Sequence, residues 1–135
     1  MRPLALLVLC GCGGDLLNNA GIHAHVDETP GAQPISHAAT SFELLVPIWG
    51  SYMMERRVYG GARPSGILFD WILGGLVPAV LTGTSFAVHD AGTRSDLRWS
   101  ALGLYIGTRA GVETIGNLHV GEYNDYLAQR TLPAP

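Results

Sequence analysis

The sequence predicts an all-α protein: a membrane-associated helical hairpin with a third, shorter helix, preceded by a flexible tether. Three observations carry this. Only 14% of the 135 residues are charged while 47% are hydrophobic. An average soluble domain has about 25% charged residues, so an ordinary water-facing surface is hard to assemble here. Three apolar segments, residues 41–54, 66–88 and 97–120, follow one another across polar turns. Small residues recur at every fourth position in two of them, the pattern that lets membrane helices approach closely. The length allows one domain. The net charge is −3 and the basic residues, all Arg, are scattered; a nucleic-acid binder needs a clustered basic face, so none is expected as a partner. Two cysteines exclude a disulfide-rich scaffold and a four-ligand zinc site.

The N-terminus reads as an address. Arg2 is followed by an apolar run from Leu4 to Leu9, far short of the roughly 20 residues a span requires. A charged start, an apolar middle and small residues at the exit are the order of a signal peptide. The exit, Leu9-Cys10-Gly11-Cys12, resembles the lipobox of bacterial lipoproteins. That resemblance implies cleavage after residue 11 and lipidation of Cys12, which becomes the first mature residue. Gly13 follows in place of Asp, so the family's inner-membrane retention signal is missing. The expected layout is a signal peptide over 1–11, a lipid-anchored tether over 12–40 and a helical membrane domain over 41–130.

The tether is inferred from Asn18-Asn19, Pro30-Gly31 and Pro34 with no helical or alternating period between them. It contains His23, His25, Asp27 and Glu28. Imidazole and carboxylate suit zinc, copper or nickel, but structural sites draw ligands from separate rigid segments. A solvated linker is the expectation, with no metal and no cofactor.

In residues 41–54, Phe42, Leu45, Val46, Trp49 and Met53 recur at helical spacing, while Pro47 and Gly50 kink or interrupt the helix. The stretch Pro47-Ile-Trp-Gly50-Ser-Tyr52, followed by Gly60-Gly61, resembles small bacterial multi-helix membrane proteins with a Pro-Gly-x-Gly-Gln-x-Tyr-like turn. Ile48 replaces the first Gly of that pattern and Ser51 the Gln. The resemblance spans residues 41–127 and implies no activity.

Residues 66–88 carry one charge, Asp70, near their start. At 1.5 Å per residue they reach about 34 Å, enough for a hydrocarbon core of about 30 Å. Asp70 is expected near the interface, where an acid costs less. Pro78 is tolerated in a membrane helix. In residues 97–120, Gly103, Gly107 and Gly111 stack on one helical face, as do Gly75, Ala79 and Gly83 in the preceding segment. The two stripes are expected to face each other. Opposite the glycines lie Tyr105, Arg109 and Glu113; four residues apart, Arg109 and Glu113 are expected to form a buried ion pair. His119 and Glu122 lie three apart, but a bundle metal site needs further acids, and both are expected as solvated residues on the outside of the helix.

The arginines of 55–64 (Arg56, Arg57, Arg63) place that loop in the cytoplasm by the positive-inside rule. With Cys12 outside and segment 41–54 crossing, the expected order is out, in, out at 89–96, and C-terminus in. No nucleophile elbow, phosphate-binding Gly-Lys, dinucleotide fingerprint or His-Glu-x-x-His is present. The expectation is a small lipid-anchored protein of the bacterial cell envelope, a structural or accessory subunit and not an enzyme, in the inner membrane if its helices span. Its partners are the lipid bilayer and a second copy or other membrane subunits. Two alternatives stand beside it: a soluble or interfacial helical lipoprotein domain, and a metal-binding envelope protein.

Overall fold

Helix ends follow from local capping chemistry. The Ser36 hydroxyl accepts the Ala39 N–H at 3.3 Å and opens a helix. Gly60, in the left-handed region at φ 72°, closes the next one. Pro64 sits in the first turn of the helix after that, and Asp90 accepts the Thr93 N–H at 2.7 Å ahead of the last. The computed structural model describes residues 19–131. The signal peptide over 1–11, Cys12 and the start of the tether lie outside the described residues. Five helices follow in order: α1 Ala20–Glu28, α2 His37–Leu44, α3 Trp49–Tyr59, α4 Pro64–Ala87 and α5 Ala91–Thr131. The chain is all-α among the described residues.

α4 is composite, with a π-helical stretch at Asp70–Leu76. Pro78 lacks the N–H that would bond Gly74 O, and its ring crowds that carbonyl. The turn upstream therefore widens, and the Val77 N–H reaches Ile72 O, five residues back. α5 has 41 residues, about 60 Å at helical rise. Its first half lies along α4, and its second half carries α1, α2 and α3.

The apolar core sits at that second half. Ile22 and Val26, one turn apart on α1, are fully buried with Leu44, Met54, Val58, Val112, Val120, Tyr123 and Leu127. Gly116 makes the crossing of α2 over α5 feasible, because a Cβ there would lie 2.6 Å from the Leu44 side chain.

Residues 20–40 are therefore not a free tether. Besides α1, the Asn124 side chain brackets Ile35, accepting its N–H at 2.8 Å and donating to its carbonyl at 2.9 Å. Two buried aliphatics in nine residues are too few to give a periodic signal, and the polar anchors lie on α5, remote in sequence.

Segment 41–54 is also corrected. It is divided between α2 and α3 by an elbow at Pro47-Ile48-Trp49, where the Trp49 N–H bonds Pro47 O at 2.7 Å. Ile48 has φ 67° and ψ −57°, a γ-turn centre that is strained for a β-branched residue. Gly50 lets the two helices meet, since a Cβ there would lie 2.3 Å from Glu43 O. No single helix crosses here, so the alternating out–in–out–in order loses its first crossing.

Candidate functional site

The elbow is held by charge. Asp70 is fully buried at the start of the π-helical stretch. Its Oδ2 accepts the Ile48 N–H at 2.8 Å and the Ser51 hydroxyl at 2.6 Å. Its Oδ1 meets Arg109 Nη2 in an ion pair, and Arg109 Nη1 donates to Leu44 O at 3.0 Å. The Arg109 guanidinium lies 5.9 Å from the Tyr105 ring centre, and the Tyr105 hydroxyl donates to Leu45 O at 3.3 Å. Four segments thus meet at one node: the end of α2, the elbow, α4 and α5.

The π-helical stretch makes room for it. A Cβ on Gly74 would meet Arg109 Nη2 and Asp70 Oδ1, so a larger residue where the guanidinium crosses α4 would force the buried pair to shift. Thr108 donates to Leu73 O at 3.4 Å beside it. Taking both charges out of water costs several kcal/mol each, which only tight pairing and additional hydrogen bonds offset. The Ile48 and Ser51 donors supply those bonds to the acid, and Leu44 O supplies one to the base. Apart from Arg109 Nε, which is buried without a hydrogen-bond partner, the groups of the node hold one another, and its chemistry is that of a clasp.

Several expected placements change. Arg109 is buried as expected, but its partner is Asp70; Glu113 is half-buried, one turn further along. The stripes Gly75, Ala79, Gly83 and Gly103, Gly107, Gly111 do not face each other. A Cβ on any of these five glycines would meet nothing within 4 Å, and Ala79 is exposed. The cause is rotational. Gly107 lies about 200° around the helix from Arg109, so burying the arginine turns the stripe outward. The close contacts fall instead on Gly74, Pro78 and Ser85 of α4 and Ala101, Thr108 and Val112 of α5, all buried. A signal for the pair existed: Asp70 is the sole charge of residues 66–88, and lone opposite charges in two apolar helices stabilise each other by pairing.

The histidine-rich stretch is divided between faces. His23 Nε2 lies 2.6 Å from Glu122 and its ring stacks on Tyr126 at 3.9 Å. Asp27 takes Arg130 at 3.1 Å, whereas His25 packs against Gly60 on the other side. His119, expected at the surface, is instead buried edge-on to Tyr59, while Glu122 pairs with His23. Among the described residues no three His, Cys, Asp or Glu side chains are placed to hold a metal. Glu55 is buried and accepts the Arg63 N–H. Burial pushes its carboxyl up from the usual range, while the Arg63 hydrogen bond and charge pull it down. Burial also raises the Tyr59 phenol, over which the Arg63 guanidinium sits at 4.7 Å.

The outer surface of α4 and the first half of α5 is the other unusual feature. Trp71, Leu76, Val80, Phe86, Trp99, Leu102 and Ile106 are all exposed. No family model matches the chain, and no curated protein or solved structure does either.

Proposed function

We propose that this is a small lipid-anchored membrane protein of the bacterial cell envelope, a structural or accessory subunit without catalytic activity. One observation carries the reading. The 24-residue helix α4 is long and apolar enough to cross a bilayer, yet only 11% of its most apolar window is buried within the chain. The central helix of a water-soluble bundle buries most of such a surface, whereas a lipid-facing helix leaves it outward. The polar node beneath supports the same reading, since ionisable residues within membrane segments turn to the bundle interior and pair. In this proposal α4 and the facing half of α5 enter the bilayer as a pair. The unit built from α1–α3 and the end of α5 stands on the side of the lipidated Cys12.

Carbonate extraction of membranes carrying a Cys12→Ala chain tests it. Retention in the pellet is expected, because the helix pair holds without the lipid. Release into the supernatant would leave a soluble or interfacial domain tethered by Cys12 alone.

A further inference from the structure

At the turn joining α4 to α5, two arginines stand one helical turn apart on α5, Arg94 and Arg98, with no carboxylate partner among the described residues. Arg98 is fixed in place. Its Nε donates to the Ser85 hydroxyl at 3.2 Å, and that hydroxyl is fully buried and itself donates to Thr82 O at 2.6 Å. The guanidinium lies 5.2 Å from the ring centre of Phe86. Phe86 is 74% exposed and Trp99, beside Arg98, is 69% exposed. An open groove of about 430 Å³ lies along this face of α5, lined by Ala91, Arg94, Ser95, Arg98, Trp99 and Leu102, and Phe86 of α4 flanks it through its contact with Arg98. No acid lines it. Asp90 is engaged in capping α5 through the Thr93 N–H. Asp96 lies two positions from either arginine, about 200° around the helix.

The geometry points to a binding site for the phosphate of an anionic phospholipid headgroup, formed by Arg94 and Arg98, with Phe86 and Trp99 seated among the acyl chains around it. Guanidinium presents a planar fork that matches phosphate oxygens. Exposed aromatics at the end of an apolar helix occupy the headgroup boundary. The Ser85 bond orients Arg98 before any lipid arrives, which lowers the ordering cost of binding. This inference rests on the membrane reading of α4 and α5, and it adds the lipid class that the turn selects.

The test is native mass spectrometry of the full chain in neutral detergent, titrated with phosphatidylglycerol, phosphatidylcholine or inorganic phosphate, beside flotation with vesicles of each lipid. The chain should float with both vesicle types and retain one phosphatidylglycerol with a preference of about tenfold over phosphatidylcholine. Arg94→Gln with Arg98→Gln should abolish that preference while leaving flotation intact. Arg56→Gln, a control at an exposed arginine on α3, should leave it unchanged. Equal retention of the two lipids, or a preference untouched by the double variant, would overturn the site and leave the membrane reading standing. Binding of inorganic phosphate as tight as that of the lipid would assign the site to a free anion. Failure to float with either vesicle would remove the membrane reading itself.

Discussion

The two ends of α5 organise opposite kinds of interior. Around its second half the core is aliphatic and aromatic, with His119 and Glu55 buried beside it and three ion pairs at its margin: His23 with Glu122, Asp27 with Arg130, and Glu43 with Arg57 across α2 and α3. Along its first half the buried polar groups are Asp70, Arg109, Thr108, Ser85 and Ser51, beside the small residues Gly74, Pro78 and Ala101, and the large apolar side chains point out. One helix therefore joins a unit with an apolar core to a unit whose buried side chains are mostly polar and whose large apolar side chains are exposed. The same forces act in both. The hydrophobic effect drives apolar surface inward only where water is the alternative; in the proposed membrane setting, lipid lies outside and the burial of hydrogen-bonded polar groups decides the packing.

The difference is sharpest at the clasp, where the largest effect is expected. Asp70→Asn or Arg109→Met alone leaves a buried group without its counter-charge and should cost about 3–5 kcal/mol, while the double change costs far less. Thermal unfolding in detergent, arranged as a double-mutant cycle, reads this directly. Additive mild losses would mean that water reaches the node. Second in size is a contrast between the two surfaces. Ile22→Ala in the aliphatic core should cost about 2–5 kcal/mol, whereas Val80→Ser on the outer face of α4 should change the stability of the detergent-solubilised chain by less than about 0.5 kcal/mol. Membrane insertion should show the reverse order.

Glycine substitutions draw the same line at smaller cost. Gly50→Ala pushes a methyl into the α2 backbone and should lose about 1–3 kcal/mol. Gly107→Leu enters open space and should be tolerated within about 0.5 kcal/mol. Equal losses would mean that the stripe meets a partner in the membrane. The smallest effect concerns pH. Glu55 has its carboxyl raised by burial, so the folded chain holds that proton more tightly than the unfolded one. Its contribution is present below the ordinary carboxyl range and is lost as pH rises through the raised value. Glu55→Gln should flatten that part of the stability profile while leaving the region around α4 unaffected. An unchanged pH slope would show that Arg63 fully offsets the burial.

What was legible in the sequence follows the same division. Periodicity and length gave the all-α class and located α4, expected over 66–88 and found at Pro64–Ala87. They also located the middle of α5. Spacing placed the glycines on one face but carried no information on which way that face turns; the Asp70–Arg109 bond, between residues 39 apart in sequence, fixes the rotation. α1 was illegible because its packing depends on two residues, and its anchors on α5 lie about 100 positions away. The elbow was half legible. Pro47 and Gly50 announced a break, but the γ-turn at Ile48 depends on the carboxylate of Asp70 accepting its N–H.

The most direct measurement is of what touches the outer face of α4. A nitroxide is placed at Val80 and, separately, at Ala128 of α5, both exposed, in a chain carrying Cys10→Ser and Cys12→Ser and reconstituted in vesicles. At Val80, collisions with oxygen should dominate and a water-soluble nickel chelate should be excluded. At Ala128 the nickel chelate should collide freely. Equal access of nickel to both positions would contradict the two-environment architecture and return α4 to water or to a protein partner.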